Sequence, residues 1–365
     1  MKTIDRYILR ELAVTTVCAV AVLSGFLVFG NVLRRAFDLI LNEEIPLGLL
    51  MKSTAYLLPF CLTFALPWGF VTAVLLVFGR LSAENELTAL RTSGISLIRV
   101  CAPTILLACL LSLLCLWLNC ALIPRAQMGL KKTLRQIAAD HPAALLVTNQ
   151  VHAKARRQRF YVGEKKGAKL SNIILFQLDA ALRPTRVLFA KEGEIRGGSA
   201  AQDVELRLIR ASVEEWSAPF DPAKIHESFR LMRGETSVAL DHFSSAELRR
   251  PPLSAMTLTR IFRYRARLTD AAGTVQFEIN RRFSFSLAVF VLTLVSLPLA
   301  VGAHRRELSV AFALSLVVVF GYYLILGVAE SNRYRTQAHP ELLVWIPNAL
   351  FLACGVLLLR RANHR

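Results

Sequence analysis

The sequence predicts an α-helical integral membrane protein with six transmembrane helices and an all-β domain inserted between helices 3 and 4. Three observations predict this fold class. The 365 residues are 54% hydrophobic, and their mean hydropathy is +0.46. The apolar residues concentrate in six nearly charge-free runs of about 20 residues or more, the length that crosses ~30 Å of hydrocarbon. A long polar segment with strand-like patterning separates the third run from the fourth.

Six spans follow from these apolar runs. They cover residues 12–33, 53–78, 100–123, 283–303, 308–329 and 342–359. As drawn, the spans contain no Asp, Glu, Lys, Arg or His. Ion- and proton-coupled transporters usually carry ionisable groups inside the membrane. The sequence therefore argues against a secondary transporter, and any work done by this protein needs energy from a partner.

The chain divides into three predicted parts. Residues 1–123 hold helices 1–3, residues 124–282 form the β domain with its connecting helices, and residues 283–365 hold helices 4–6. Strand signals in the middle part include the alternation of Val204, Leu206 and Leu208 with charged residues. Such alternation is typical of an antiparallel sheet with one apolar face.

Basic residues in the short loops predict the orientation of the chain in the membrane. One side holds Lys2, Arg6, Arg10, Arg80, Arg91, Arg99, Arg305, Arg306, Arg360, Arg361 and Arg365, whereas the short loops of the other side hold only Arg34, Arg35, Lys52, Arg333 and Arg335. The first side is therefore predicted to be cytoplasmic. Both termini lie on that side, and the β domain faces outward.

A short polar stretch between the second and third spans has the marks of a capped helix over residues 82–93. Ser82 is a candidate N-cap, Glu84 and Glu86 suit the first turn, and Arg91 suits the last. Gly94 follows as a candidate C′ glycine. Such a two-faced helix offers a handle for a partner outside the membrane. The alternative is a helix that only rests on the lipid headgroups.

Positive charge dominates the outward-facing part of the chain. The segment 124–282 carries most of the net charge of +18, which favours anionic partners. Because this segment is tethered at a membrane, phosphate-bearing lipid fits better than nucleic acid, although a merely solvated basic surface is the alternative. Arg34 and Arg35, at the outer end of the first span, suit lipid phosphates in the same way. Ordinary anchoring of a helix end at the interface is the alternative for that pair.

The sequence lacks the common motifs of catalysis. It has no G-x-x-x-x-G-K-[ST] loop for nucleotide phosphates and no G-x-S-x-G, H-E-x-x-H or C-x-x-C pattern. Its seven histidines are scattered without metal-ligand spacing. We therefore predict a non-catalytic subunit with no cofactor and no metal site.

Two motifs and the order of the elements resemble the LptF/LptG permeases of the lipopolysaccharide export transporter. The stretch Gly-Arg-Leu-Ser-Ala-Glu-Asn-Glu-Leu-Thr-Ala-Leu-Arg-Thr-Ser-Gly-Ile-Ser, residues 79–96, looks like the coupling helix of that family. Glu-Ile-Asn-Arg-Arg-Phe-Ser-Phe-Ser-Leu-Ala from Glu278, with Leu-Pro-Leu-Ala-Val-Gly from Leu297, looks like its fourth span. Three spans, a β domain and three more spans is the family's architecture.

The resemblance implies a bacterial inner-membrane permease subunit of an ABC transporter with a periplasmic, jellyroll-like β domain. The implied partners are an LptB-like ATPase dimer, the other LptF/LptG-type permease, an LptC-like periplasmic jellyroll protein and lipopolysaccharide itself. The implied ATPase-coupling residues are Glu84, Glu86, Leu87, Leu90 and Arg91, and the implied lipid-phosphate contacts are Arg34 and Arg35. The two glutamates leave open which one corresponds to the key acidic residue of the family.

A membrane-anchored envelope scaffold with no transport role is the alternative function. A transporter subunit should copurify with a nucleotide-binding dimer, whereas a scaffold should not. The sequence does not distinguish the F-type from the G-type member of the family.

Overall fold

The computed structural model describes most of the chain, with its larger gaps in the polar segment between the third and fourth spans. The described residues are 3–40, 47–140, 151–152, 158–166, 169–178, 184–197, 204–215, 232–239, 253–265, 272–302, 308–332 and 340–364. They form two compact units. One comprises Met1–Val32, Tyr56–Gln127 and Pro252–Arg365, and the other comprises Leu33–Ala55 and Met128–Pro251.

Helices account for nearly all of the described residues outside the sheet. They are α1 (Thr3–Ile40), α2 (Leu47–Ala55), α3 (Leu58–Ala83), α4 (Glu86–Thr92), α5 (Leu97–Trp117), a π-helical turn (Leu118–Leu122), α6 (Ile123–Asp140), α7 (Leu258–Arg265), α8 (Ala272–Gly302), α9 (Leu308–Ser331), α10 (Pro340–Leu343) and α11 (Ile346–His364). A 3₁₀ turn, Leu253–Ala255, precedes α7.

The six predicted spans are confirmed: the described part of the chain holds six helical segments long and apolar enough to cross a membrane. These are Thr3–Leu33, Met51–Ala83, Leu97–Thr133, Gly273–Gly302, Val310–Ser331 and Glu341–Ala362. Each overlaps one predicted span. The helices of the second and fourth spans extend beyond the predicted apolar runs, and these extensions carry charge: Arg80 ends the second, while Glu278, Arg281 and Arg282 open the fourth.

The second and fourth spans form the centre of the helical unit. In each of them 72% of the most apolar window is buried, against 22–28% in the other four. Helix α8 contacts α3, α5 and α11, and α9 lies against α3. The outer spans therefore expose most of their apolar surface, as expected of helices that face lipid or another membrane protein.

Buried polar side chains join the helices inside the membrane-spanning region. Asn348 of α11 donates to the Ser284 carbonyl of α8 (3.0 Å), and the Tyr322 hydroxyl of α9 donates to Asn348 Oδ1 (3.0 Å). Thr72 of α3 bonds Ser315 of α9 (3.1 Å). In hydrocarbon such groups have no water to turn to, so interhelical bonds of this kind fix which helices pair.

The described residues of the insertion between the third and fourth spans form a six-stranded antiparallel sheet, which confirms the predicted β domain. Its strands are β1 (Val151–His152), β2 (Gln158–Lys166), β3 (Lys169–Leu178), β4 (Pro184–Gly197), β5 (Val204–Glu215) and β6 (Met232–Ala239). They follow one another in sequence order across the sheet. Ile173 pairs with Ala190, and both are buried. Of the residues that predict alternation in β5, Leu208 is fully buried, whereas the side chains of Val204 and Leu206 lie outside the described part of the structure. A register shift follows between Leu208 and Ala211.

Candidate functional site: the loop between the second and third spans

The loop begins where the helix of the second span is interrupted. The Glu84 N–H still donates to the Arg80 carbonyl (2.9 Å), and the Asn85 N–H donates to the Ser82 carbonyl (3.2 Å). Asn85 has a left-handed backbone, with a φ of 60°. Asparagine tolerates this conformation better than most residues that carry a Cβ. Helix α3 therefore ends at Ala83, and the separate helix α4 begins at Glu86.

The helix is shorter than the predicted 82–93, and Ser82 is not its N-cap. Ser82 lies in the last turn of α3 and is buried. Its hydroxyl donates to the Val301 carbonyl of α8 (3.0 Å). The prediction came from residue type, and serine is a common N-cap. Because α3 continues past its apolar run, the same hydroxyl instead ties the second span to the fourth.

The end of α4 is the one predicted. Gly94 has a φ of 82°, its N–H donates to the Arg91 carbonyl (3.0 Å), and the Ile95 N–H donates to the Leu90 carbonyl (3.1 Å). These two bonds form a Schellman motif with Gly94 at C′. Glu86 in the first turn and Arg91 in the last also match the dipole of the helix.

Two faces of α4 differ in burial. Leu87 is 3% exposed and belongs to the main apolar core of the bundle, and Leu90 lies against that core. Thr88 is exposed and Glu86 is half-buried, while Glu84, two residues before the helix, is exposed. Of the predicted coupling residues, the leucines therefore hold the helix to the bundle. The charged ones are more accessible: Glu84 is exposed, and Glu86 and Arg91 are half-buried.

Arg80 distinguishes the two glutamates of the loop. Its guanidinium lies 3.7 Å from the Glu84 carboxylate, one helical turn away. It also pairs with Glu11 and donates to the Tyr7 hydroxyl (3.0 Å). Within the described residues, Glu86 has no ion pair. Glu84 thus has a counter-charge within its own chain, whereas Glu86 has none among the described residues.

The predicted lipid-phosphate contacts, Arg34 and Arg35, lie in the C-terminal part of α1. Their side chains are outside the part of the structure that is described, so their contacts remain predictions.

A buried charged cluster at the start of α8 was not predicted as a site. Arg282, 4% exposed, donates through Nε to the Glu278 carboxylate (3.0 Å) and through Nη2 to the carbonyls of Leu253 and Ser254 (3.0 Å each). Arg281 also binds Glu278 (3.1 Å). Spacings of three and four residues place these side chains on one helix face. That spacing was readable in the sequence, but the burial was not.

A small, partly open pocket lies beside the cluster. Glu278, Arg281 and Arg282 form its charged wall, and Phe60 and Phe64 of α3 lie on its apolar side. Among the described atoms, Arg282 Nη1 is buried without a hydrogen-bond partner. The pocket therefore combines charged and aromatic surface at one end of the bundle.

Known proteins are similar to this chain over nearly its whole length. The LptF proteins named "Lipopolysaccharide export system permease protein LptF" of Escherichia coli (strain K12) and of Shigella flexneri are each 23% identical over 369 residues. These matches cover 97% of this chain and 94% of each relative. An uncharacterized protein of Rickettsia prowazekii (strain Madrid E) is 27% identical over 139 residues, which is 38% of each chain.

The family match has the same extent. Residues 6–361 match the family described as lipopolysaccharide export system permease LptF/LptG. This range covers all or nearly all of each of the six candidate membrane-spanning helices, the loop with α4 and the inserted sheet. The chain therefore belongs to the LptF/LptG family of lipopolysaccharide export system permeases.

Proposed function

We propose that this chain is the transmembrane permease subunit of an ABC transporter that extracts lipopolysaccharide from the inner membrane. Family membership makes it a multi-pass inner-membrane transport subunit rather than an enzyme. The observation that carries the finer proposal is α4, a short helix anchored on the bundle core, with the half-buried Glu86 in its first turn and the exposed Glu84 just before it. A separate ATPase supplies the energy, since the sequence has no nucleotide-binding loop.

In this proposal α4 docks into the ATPase and transmits its movement to the spans. Glu84, just before the helix, and Glu86, in its first turn, present negative charge to the ATPase. Arg91 lies in the last turn of the same helix. Leu87 and Leu90 attach α4 to the core of the helix bundle, because α4 can move the spans only if it is packed firmly against them. Their contact with the apolar core supports that division of roles.

The lipid is proposed to move outward through the bundle and then along the inserted sheet. Lipopolysaccharide has an anionic head and apolar acyl chains. The long apolar runs of the spans suit the acyl chains, while Arg34, Arg35 and the basic β domain suit the phosphates. We propose that the sheet lies in the periplasm, that both termini are cytoplasmic, and that the basic residues of the short loops set this orientation.

The proposed partners follow from the same chemistry and from the family. An LptB-like ATPase dimer binds α4, the other LptF/LptG-type permease completes the membrane cavity, and an LptC-like jellyroll protein receives the lipid from the sheet.

The test is charge reversal of the acidic pair in a reconstituted complex. Glu84→Lys with Glu86→Lys should abolish stable binding of the ATPase and lower lipid release to background. The reason is that the introduced lysines would repel the ATPase surface that the two glutamates are proposed to attract. Ser331→Lys, which adds charge at an exposed site on α9, is the control and should leave both unchanged. Full release in the double variant would contradict the proposed role of α4. Purification of the native complex without any ATPase would favour an envelope scaffold instead.

A further inference from the structure

The first three turns of α1 are attached to both sides of the α4 loop. Asp5 accepts a hydrogen bond from Arg99 at 3.0 Å, and Arg99 lies in the first turn of α5. Arg80, in the last turn of α3, pairs with Glu11 and donates to Tyr7. The two arginines stand just before and just after α4 in the chain. Each reaches back to a different turn of the N-terminal segment.

Apolar packing joins the same parts. Ile8 and Leu12 of α1 are fully buried, and they share one core cluster with Leu81, Leu87 and Leu97. Leu81 is in the last turn of α3, Leu87 is in α4, and Leu97 opens α5. The apolar face of the N-terminal segment therefore belongs to the same core as the loop and the helices on either side of it.

The ion pairs orient the N-terminal segment of α1 against the loop more than they add to the stability of the protein. Arg99 is 52% exposed and Arg80 is 39% exposed, and pairs at such exposure are weak. Asp5 is only 14% exposed, and its carboxylate pairs with Arg99. Burial of Ile8 and Leu12 supplies the main attraction, and the pairs fix the angle and register of the segment against the loop.

We propose that residues 3–12 and α4 form one rigid lever, so that a force on α4 moves the first span as well as the second and third. This rests on the proposed function, in which α4 receives that force. Chain connectivity alone would couple α4 only to α3 and α5. The contacts of Asp5 and Glu11 with Arg99 and Arg80, which we call the clasp, add α1 to this group. Helix α1 is continuous over 38 residues, about 57 Å. Asp5, Glu11, Arg80 and Arg99 are positioning residues in this lever.

The Asp5–Arg99 pair gives the cleaner test, since Arg80 has several partners. Asp5→Arg and Arg99→Asp should each leave ATP hydrolysis near wild type but lower lipid released per ATP about fivefold, the low end of coupling free energies. The double swap should restore release. Arg6→Asp changes an exposed charge beside Asp5 and should have no effect. A double swap that stays uncoupled, or single variants that export like wild type, would overturn the proposal.

A cross-link separates a rigid lever from a clasp that opens during transport. Asp5→Cys and Arg99→Cys are introduced after replacement of the seven native cysteines, and a reducible bifunctional thiol reagent joins them. A rigid lever predicts that release continues with the cross-link in place. Loss of release that returns on reduction would show that the two residues must part, and the proposal would be wrong.

These results are distinguishable from failure of the proposed function. If wild-type protein releases no lipid with the ATPase and ATP, the transport proposal itself fails. If wild type exports and the clasp variants behave like it, only the lever fails.

Discussion

Arg282 shows how one charged side chain is accommodated inside the bundle. It neutralises Glu278 and holds two carbonyls of the 3₁₀ turn Leu253–Ala255. That turn is where the chain returns to the helical unit after the sheet. Removing one partner of a buried pair leaves the other without compensation, which is strongly destabilising. The arginine therefore fixes the segment 253–255 against the start of the fourth span.

Replacing this arginine should destabilise the helical unit. Arg282→Met is expected to lower the free energy of unfolding by about 3 kcal/mol, because Glu278 stays buried with a weaker partner and two carbonyls lose their donor. Thermal unfolding in detergent measures the change. Arg281→Met is the matched control and should have a smaller effect, since Arg281 is more exposed. Equal melting temperatures for the two variants would contradict this account.

At the scale of the element, α4 is too short to be stable by itself. Seven residues make about two turns, and isolated helices of this length are marginal in water. Its structure depends on the Gly94 Schellman motif at one end and on burial of Leu87 in the middle. A partner that binds the exposed face therefore acts on a helix whose other face is already fixed.

Truncating the anchor should release the helix without removing any exposed group. Leu87→Ala is expected to cost about 3 kcal/mol of local stability, as large-to-small core substitutions do. Amide hydrogen exchange across 86–92 should accelerate, and lipid release per ATP should fall. Thr88→Ala, on the exposed face, is the control for exchange. Unchanged exchange in Leu87→Ala would show that the helix is held by something other than this side chain.

At the scale of the whole molecule, close backbone contacts set the distances between spans. A Cβ at Gly69 would lie 2.7 Å from Val20 Cγ2 and 3.0 Å from Val20 N, so α3 and α1 meet here with no room for a side chain. Gly355 meets Leu294 of α8 in the same way. Small residues at such positions let helices approach closely in membranes.

Adding one methyl group should be costly at a glycine in close contact with another helix and harmless at a glycine with open space around it. Gly69→Ala is expected to lower the free energy of unfolding by about 2 kcal/mol, because the backbone of α1 must shift. Gly25→Ala meets nothing within 4 Å and should be neutral or slightly stabilising, since alanine favours helix. Thermal unfolding of both variants tests the contrast. A stabilised Gly69→Ala variant would contradict the close contact.

The spans and the sheet were predictable because their signals are local. Hydrophobic runs mark the spans, and alternation marks β5. Gly94 was predictable for the same reason, since the end of a helix depends on a few adjacent residues. Ser82, Arg282 and Asp5 were not, because their roles depend on residues far away in the chain: Val301, the 253–254 carbonyls and Arg99. A serine that follows an apolar run looks like a cap until its distant acceptor is known.

The hydrogen bonds among Ser284, Tyr322 and Asn348 have a consequence for biogenesis. The asparagine is synthesised last of the three, and its amide would be left unsatisfied if the sixth span entered lipid alone. The fourth and fifth spans already carry its two partners when it emerges from the ribosome. We therefore expect the C-terminal helix to be stably inserted only together with these earlier spans. A nascent chain that ends before residue 348 should still place its first five spans.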